Sequence, residues 1–427
     1  MREMKNSNVD WIGEIPEEWD IIPVKRFFRN VKRVAGSSVD EYERLALTMN
    51  GVIKRSKEDS DGLQPEKFEG YQILQENELV FKLIDLENVK TSRVGLSPYT
   101  GLVSPAYIVL TNQQKDNRFF YYWFMFMYYN EVFNHLGGDG VRSALNAKDL
   151  IALPVPSISE STMKRIADYL DDKCAKIDAI IAWQQEVIEK LKAYKLSVIT
   201  EAVTKGPNPD VKMKDSGIKY CSLMPQHWEN RKMISILSMQ VVDGAHESPE
   251  LFSEGIPYIS ATAIENGKIN FKKMRGYISA DYCDICEQRY TPQLNDILVI
   301  KLGASTGQVA MVETSERFNI WVPLAAVRCN SDSEPRFVYY AFQSDYFIKQ
   351  MEQSWTFGTQ QTLGLKTIER LRILIPPIHE QIEIANYLNN KCNLIDNLVS
   401  KKQTTIDKLS DYKRSLIYEV VTGKKEV

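Results

Sequence analysis

Two segments of the chain carry apolar residues at alternating intervals of four and three residues. They run from 170 to 202 and from 388 to 420, and in each segment eight of the ten positions are apolar. The polar breaks match, with Gln184 and Lys195 in the first segment and Lys402 and Lys413 in the second. This spacing is typical of paired helices in a coiled coil, whereas two unrelated surface helices would not account for the matched breaks. The predicted seam consists of Leu170, Cys174, Ile177, Ile181, Ile188, Leu191, Leu388, Cys392, Ile395, Val399, Ile406 and Leu409.

The two segments are copies of one sequence. At an offset of 218 positions, 19 of the 41 residue pairs between 166–206 and 384–424 are identical. The match continues upstream, where Asn77-Glu-Leu-Val lies over Asn295-Asp-Ile-Leu. The chain is therefore a tandem duplication, and each copy has a variable part followed by a better-matched helical tail.

The order of the segments predicts how the helices pair. The first ends where the second variable part begins, and the second starts where that part ends, so the helices should run antiparallel. About 40–45 residues at roughly 1.5 Å per residue would make each helix about 60–65 Å long. The predicted boundaries are 1–157 and 205–377 for the variable domains, with helices over 158–204 and 378–427.

The variable domains have the pattern of α/β domains. The runs "NELVF", "YIVL", "DILVI" and "GQVAMV" predict strands, while "RFFYYWFMFMYYNEVF" and "RFVYYAFQSDYFIKQM" predict helices. The aromatic crowding in the first helix favours a core role over base stacking, because no basic residues interleave it. The predicted fold class is α+β, with two α/β domains separated by a long antiparallel two-helix coiled coil and related by an approximate two-fold.

Composition adds little to this picture. The net charge is −3 and the hydrophobic content 44%, as in ordinary soluble proteins. No run approaches the roughly 20 apolar residues of a membrane span, and no signal core is present, so we expect a cytoplasmic protein. Nucleic-acid binding would have to rest on local basic patches or on a basic partner.

The motifs of common catalytic sites are missing from the sequence. There is no GxxxxGK[ST] phosphate loop, no Asn/Asp-Pro-Pro-aromatic motif of amino-methyltransferases, and no HExxH among the four histidines. Cys283 and Cys286 form a CxxC pair, but no second close Cys or His pair completes a zinc site, so two packed or exposed thiols are favoured over a metal. We therefore predict no catalytic residues, no metal and no enzyme activity for this chain.

Over nearly its whole length, the sequence resembles a known family, the DNA specificity subunits of type I restriction–modification systems. The matching words in the first half are "IGEIPEEW", "ELVF", "GLVSPAY" and "LPVP" followed by "RIADYL"; in the second half they are "LMPQHW", "DGAHESP", "GIPYIS", "DILV", "GASTG" and "IPPIHEQIEIANYL". The first copy departs from the family at "PSISESTMKRIADYL", where a Pro-Pro-x-x-Glu-Gln run is usual. This departure affects where the first helix starts.

The resemblance implies a non-catalytic, sequence-specific DNA-binding subunit with two target recognition domains. Each domain would read one half of a bipartite sequence in double-stranded DNA, and the helices would dock two methyltransferase subunits. Those subunits would carry S-adenosylmethionine, motor-nuclease restriction subunits would join for cleavage, and this chain would need no cofactor. The alternative is a coiled-coil adaptor that joins two identical partners without reading bases, and a third reading is an enzyme with an unrecognised site.

Candidate DNA contacts follow from polar and basic loops. In the first domain they include the polar stretch "NGVIKRSKED", read as a loop, and in the second the "DGAHESP" and "GASTG" words. Trp183 lies off the seam where its copy has Lys401, which indicates either a partner contact or an edge residue covering the coil. The candidate DNA contacts are Lys54, Arg55, Lys57, Arg93, Arg142, Ser143, His246, Ser248, Lys272, Lys273, Arg275, Lys301, Ser305, Thr306, Thr359, Gln360 and Gln361.

Overall fold

The chain folds into two compact units. The computed structural model describes residues 2–48, 51–59, 67–84, 93–113, 116–136, 145–357 and 360–427. Unit 1 comprises Met1–Gln184 and Thr404–Val427, and unit 2 comprises Gln185–Gln403. The division falls inside two long helices, α4 (Glu160–Lys205) and α9 (Ile378–Val421), so each unit contains a part of both.

The described residues of unit 1 form a mixed domain of short strands and three short helices besides the long ones. One four-stranded sheet has the order β6-β5-β10-β7 and another β4-β11-β8-β9, and the pairing of β10 with β5 is parallel. The helices are α1 (Arg118–Tyr129), α2 (Val132–Leu136) and α3 (Ala147–Ala152). The strands are β1 (Met4–Asn6), β2 (Glu14–Pro16), β3 (Asp20–Pro23), β4 (Arg29–Asn30), β5 (Arg44–Thr48), β6 (Gly51–Arg55), β7 (Gln72–Leu74), β8 (Leu79–Phe81), β9 (Val94–Leu96), β10 (Gly101–Val103), β11 (Ile108–Thr111) and β12 (Pro154–Ser157).

Unit 2 is built from the same kinds of element. Its larger sheets have the orders β16-β24-β21-β22 and β20-β17-β23. The short helices are α5 (Ala280–Glu287), α6 (Pro335–Phe342), α7 (Asp345–Gln353) and α8 (Leu365–Arg370). The strands are β13 (Met213–Ile218), β14 (Cys221–Pro225), β15 (Glu229–Lys232), β16 (Val242–Asp243), β17 (Ile256–Ile259), β18 (Ile264–Glu265), β19 (Lys268–Ile269), β20 (Gly276–Ile278), β21 (Ile297–Ile300), β22 (Val309–Met311), β23 (Asn319–Ile320), β24 (Leu324–Val327), β25 (Thr356–Phe357), β26 (Gln361–Thr362) and β27 (Arg372–Ile375).

The repeat in the sequence produces equivalent local structure in the two units. Asn77 and Asn295 both adopt left-handed backbone angles, with φ of 64° and 71°, two residues before the start of β8 and β21. The next residue in each copy is a buried acid that pairs with an arginine, Glu78 with Arg33 and Asp296 with Arg328. Asparagine tolerates this conformation better than most residues, so the matched Asn-acidic pair starts the same central strand in both copies.

The two long helices run antiparallel within each unit. In unit 1, Lys413 of α9 lies 2.7 Å from both carboxylate oxygens of Asp178 on α4. In unit 2, Lys195 of α4 makes the same contact at 2.7 Å with Asp396 of α9. The offset of 218 relates Lys195 to Lys413 and Asp178 to Asp396, so one lysine–aspartate bond occurs twice. The matched polar break at Lys195 and Lys413 is therefore explained, because each of these lysines bonds to an aspartate of the other long helix.

Each long helix ends on a tryptophan of the other repeat's opening motif. Gly206 follows α4 with φ +75°, and a Cβ there would lie 3.1 Å from Trp228 in unit 2. Gly423 follows α9 with φ +73°, and a Cβ there would lie 3.0 Å from Trp19 in unit 1. Left-handed glycine is a common helix stop because it carries no side chain. The words "IPEEW" and "MPQHW" thus supply the residues on which the helices terminate.

The predicted seam residues differ in burial. Eight are buried and four are half-buried. In unit 1 the seam continues into the core formed by α1, where Leu170 and Ile177 pack with Leu416 and Val420. The buried seam residues are Leu170, Cys174, Ile177, Ile188, Leu388, Cys392, Ile395 and Ile406, and the half-buried ones are Ile181, Leu191, Val399 and Leu409.

The aromatic segments fold differently from their prediction as single helices. The first is divided into α1 and α2 at Glu131, whose φ is +56°. The second is divided into α6 and α7 at Ser344, which has an extended backbone before α7. Polar residues stand at both breaks, Asn130-Glu131 in the first segment and Gln343-Ser344-Asp345 in the second, and the prediction of single helices overlooked them. The aromatic residues of α1 from Phe119 to Phe126, except the half-buried Tyr121, are buried, as expected for a core segment.

Replacing Ile177 with Asp should destabilise unit 1, because the charge would be buried at a side chain that is 6% exposed. We expect a loss of roughly 3–5 kcal/mol in unfolding free energy, measured by guanidinium denaturation. Ala179→Asp, at an exposed position of the same helix, is the matched control and should have little effect. Equal stability of the two variants would contradict burial of Ile177 in a helix seam.

Candidate nucleic-acid interface

A buried carboxylate at the end of β16 gathers three basic side chains in unit 2. The Asp243 side chain is 4% exposed, and its Oδ2 lies 3.1 Å from Nζ of Lys301 and 3.0 Å from Nε2 of His246. Arg289 donates from Nη2 to Oδ1 and from Nε to the Asp243 carbonyl oxygen at 3.0 Å. The structure thus brings two of the predicted contacts, His246 and Lys301, onto one acidic residue.

The backbone next to Asp243 is packed too closely to accept a side chain at position 244. A Cβ on Gly244 would overlap the carbonyl group of Ile320, so only glycine fits there. Ala245 forms a parallel bridge with Trp321, and its carbonyl accepts the Val322 N–H at 3.1 Å. The "DGAHESP" segment therefore contains the acid Asp243, the glycine that allows close backbone contact, and a loop that carries His246 and Ser248.

The basic groups around Asp243 affect the pKa of its carboxyl more than its burial does. Burial acts to raise the pKa of the Asp243 carboxyl, but the hydrogen bond from Lys301 and the charges of Lys301, Arg289 and His246 lower the pKa below its usual value. The carboxylate is therefore ionised at neutral pH and balances only part of the positive charge beside it.

The "GASTG" loop joins this cluster through Lys301. The Lys301 N–H donates to the Pro323 carbonyl at 2.8 Å, and its own carbonyl accepts the Leu363 N–H at 2.8 Å. Thr306 donates from Oγ1 to the Gly303 carbonyl at 2.7 Å. Lys301 is thus held in the backbone on both sides while its amine reaches Asp243.

Loop residues from the hairpin of β25 and β26 lie against the same loop. The Gly303 N–H donates to the Gln361 carbonyl at 3.1 Å. Ser305 and Gln360 are exposed, whereas Thr306 is buried. The predicted contact Thr359 lies outside the described residues. The structure therefore brings Lys301, Ser305, Thr306 and Gln361 into one group of loops.

A second basic residue of unit 2 lies flat on an aromatic ring. The guanidinium carbon of Arg275 is 3.3 Å from the centroid of the Trp321 ring. Arg275 Nη2 is 3.4 Å from Oγ of Ser248, and its Nη1 has no hydrogen-bond partner among the described residues. Because Trp321 also bridges Ala245, the stacked arginine lies beside the loop that holds His246.

The remaining basic residues predicted in unit 2 are less organised. Lys273 pairs with Glu265, which also accepts from Asn270. Lys272 is exposed in the short turn Phe271–Lys273, where its backbone N–H donates to Asn270. Both lysines lie in a surface turn that begins at Asn270.

In unit 1 the structure corrects one prediction. Lys54 and Arg55 belong to strand β6, which pairs with β5, and not to a loop. Lys54 pairs with Glu43 at 2.5 Å and Arg55 with Asp59 at 2.7 Å. The charged residues of this strand, two of which are successive basic residues, make it resemble a loop in sequence.

Lys57 and Arg93 lie outside strand β6. Lys57 donates to the Val39 carbonyl at 2.8 Å. Arg93 is 3% exposed and donates to Oδ1 of Asn134 at 2.7 Å, so its guanidinium packs inside unit 1. Arg142 and Ser143 lie outside the described residues.

Asp243, Arg289 and Trp321 are the residues of the unit 2 cluster that sequence reasoning missed. Asp243 was visible in the word "DGAHESP", but its partners are 46 and 58 positions away in sequence. Only the fold brings the end of α5 and the end of β21 to the same strand end. No local signal identifies Arg289 or Trp321.

Cys283 and Cys286 are both buried on α5, and burial raises the pKa of Cys283 to about 12, which disfavours the thiolate. Across the described part of the chain, no group of three His, Cys, Asp or Glu side chains is placed to hold a metal ion. None of the described helices combines the length and apolar character of a membrane span.

Comparison with known proteins shows similarity to one family. Residues 225–408 match the family model described as the type I restriction modification DNA specificity domain. The chain is 24% identical over 319 residues to the EcoBI specificity subunit of Escherichia coli, covering 69% of this chain and 66% of that protein. It is 23% identical over 442 residues to a putative MjaX specificity subunit of Methanocaldococcus jannaschii, covering 97% and 96%. The matched region thus spans just under two thirds of the EcoBI subunit and nearly all of the MjaX subunit.

A solved structure supports the fold. It belongs to a study of complex assembly and conformational transition of the type I R-M system, and it aligns with a TM-score of 0.66 at 13% identity. The alignment covers 95% of this chain and 98% of the other. At this identity the similarity establishes the α+β fold with its two long helices.

The Asp243 cluster should make stability depend on pH. A carboxyl whose pKa is lowered on folding stabilises the folded state at pH values above its unfolded pKa of about 3.9, and the contribution is lost as pH falls through and below that value. Thermal unfolding of Asp243→Asn between pH 6 and pH 3 should therefore show a shallower loss of midpoint than the parent. Asp281→Asn, on the exposed surface of α5, is the control. Superimposable profiles for Asp243→Asn and the parent would contradict the assignment.

Proposed function

We propose that this chain, a relative of the specificity subunits of type I restriction–modification systems, is the sequence-reading subunit of such a system. Each unit reads one half of a bipartite sequence in double-stranded DNA. The observation that carries the proposal is the duplication: one α/β domain plus one long helix occurs twice, and each unit contains the same antiparallel lysine–aspartate helix bond.

Two readers joined by paired helices suit a split target. Half-sites in DNA are read independently when separate domains contact them, and the spacer between the domains selects the gap. The variable parts differ in sequence while the helices match, so the two halves of the target differ and the gap is constant. Phosphate contacts place each reader and base contacts specify the sequence.

The flanks of the helices support docking of two copies of one partner. Apolar side chains one position before seam residues remain exposed, including Ile180 and Tyr412 in unit 1 and Leu398 and Tyr194 in unit 2. The repeat relates Ile180 to Leu398 and Tyr194 to Tyr412, so each unit presents an equivalent patch. Exposed apolar patches mark interaction sites. Trp183, 57% exposed, extends the patch of unit 1.

We propose that the partners are two methyltransferase subunits, which carry S-adenosylmethionine and perform the chemistry. Motor-nuclease restriction subunits join the same complex for cleavage. The chain itself supplies recognition and no cofactor. A chain with net charge −3 can act on DNA if its partners supply many of the phosphate contacts.

Methylation sequencing of cells that carry the chain with its partner subunits tests the recognition role. We expect a gapped, two-part modified motif. Exchanging residues 1–157 for those of a relative should change one half of the motif and leave the gap and the other half intact. The reciprocal exchange of residues 205–377 is the control and should change only the other half. An ungapped motif, or no sequence preference, would favour the adaptor, and methyl transfer by the purified chain alone would favour an enzyme.

Native mass spectrometry of the co-purified complex tests the docking patches. Ile180→Asp should remove one of two bound partners and Leu398→Asp the other, because each places a charge in one apolar patch. The double variant should bind neither. Ala182→Asp, exposed on α4 but off the flank, should keep both partners. Retention of two partners by the double variant would rule out these patches as docking sites.

A further inference from the structure

We infer that Asp243 is a positioning residue that presents Arg289, Lys301 and His246 as a cradle for a phosphate of the DNA backbone. The inference rests on the proposed function and names the chemistry that unit 2 recognises at this point. An acidic residue thus promotes binding to a polyanion, through the cations it holds.

The cluster carries more positive charge than its acid neutralises. Asp243 faces both Arg289 and Lys301, which leaves a net charge of +1 before His246 is counted. Arg328 pairs with Asp296, and Arg317 faces both Asp284 and Glu287. Glu313 also faces two cations, Lys268 and Arg336, but both lie 3.7 Å away and the Glu313 side chain is 45% exposed. A surplus of cations around one carboxylate suits an external anion.

Burial orders the cluster from inside to outside. The Asp243 carboxylate is 4% exposed and Lys301 10%, while Arg289 is 49% and His246 62% exposed. An anion approaching from solvent therefore meets Arg289 and His246 first. Arginine has five N–H donors, and Arg289 uses Nε and Nη2 on Asp243, so its other donors can serve a phosphate oxygen.

The backbone keeps the cradle rigid. Gly244 crosses the Ile320 carbonyl closely, and Lys301 is hydrogen-bonded through its backbone on both sides. A phosphate held here would fix the position of the same loop that carries Ser248 beside the stacked Arg275. Rigid phosphate contacts of this kind set the register from which neighbouring side chains reach base edges.

Two roles of Asp243 can be separated by salt dependence. If the cluster only stabilises unit 2, its loss lowers stability without changing the number of phosphates bound. If it holds a phosphate, each lost contact lowers the slope of log affinity against log salt by about 1. The chain also offers a matched acid, Glu247, on the same exposed loop and with no cation paired to it among the described residues.

The experiment measures DNA binding by the full chain, co-purified with its partners. The probe is a fluorescent duplex that carries the motif found by methylation sequencing, and the KCl concentration is varied between 50 and 300 mM. The variants are Asp243→Asn, Arg289→Gln and Glu247→Gln. Arg289→Gln and Asp243→Asn should each weaken binding on the order of 10-fold at low salt and reduce the salt slope by about 1. Glu247→Gln removes the same charge as Asp243→Asn but should bind as tightly as the parent or more tightly.

The results distinguish a phosphate cradle from a purely stabilising role of Asp243. Equal or tighter binding by Asp243→Asn, or weaker binding with an unchanged salt slope, would overturn the cradle. If Asp243→Asn does not fold, Arg289→Gln decides alone, because its half-exposed side chain can be shortened without opening the core. The methylated motif should stay the same in all variants. A parent complex that does not prefer this duplex over an unrelated one would instead overturn the proposed function.

Discussion

The structure depends on a helix pairing antiparallel with a copy of itself. In such a pair every contact has an equivalent, so a lysine in one copy that meets an aspartate of the other must do so twice. Lys195 with Asp396 and Lys413 with Asp178 are these two contacts. Ion pairs that are partly exposed add little stability, but they penalise any shifted register. Left-handed glycines stop the two helices against Trp228 and Trp19, which sets their length.

This pairing explains why the helices are alike in the two copies while the domains differ. The helices are constrained on the seam by one another and, as we propose, on the flank by partners, so the two copies stay alike. In the proposed function, the domains face different half-sequences and are free to differ. We propose that a nearly neutral chain then acts on DNA through local surplus charge, as around Asp243, and through its partners.

Much of the fold could be predicted from the sequence because it is carried by periodicity and repetition. The seam, the matched breaks and the antiparallel direction follow from spacing and chain order alone. The breaks between α1 and α2 and between α6 and α7 were not predicted, because the few polar residues at each break are also compatible with the exposed face of a single helix. The candidate site was harder: His246 and Lys301 stand in recognisable words, but Arg289 and Trp321 reach them only through the fold. Lys54 and Arg55 were misplaced because a charged strand resembles a loop in sequence.

The most direct test of this account is to lengthen both helices and read the methylated motif. Inserting seven residues at matched positions of α4 and α9 keeps the seam in phase and adds about 10.5 Å, close to the rise of about 3 base pairs. We expect a longer gap between two unchanged half-sequences. An unchanged gap, or altered half-sequences, would contradict the claim that the paired helices set the distance between two independent readers.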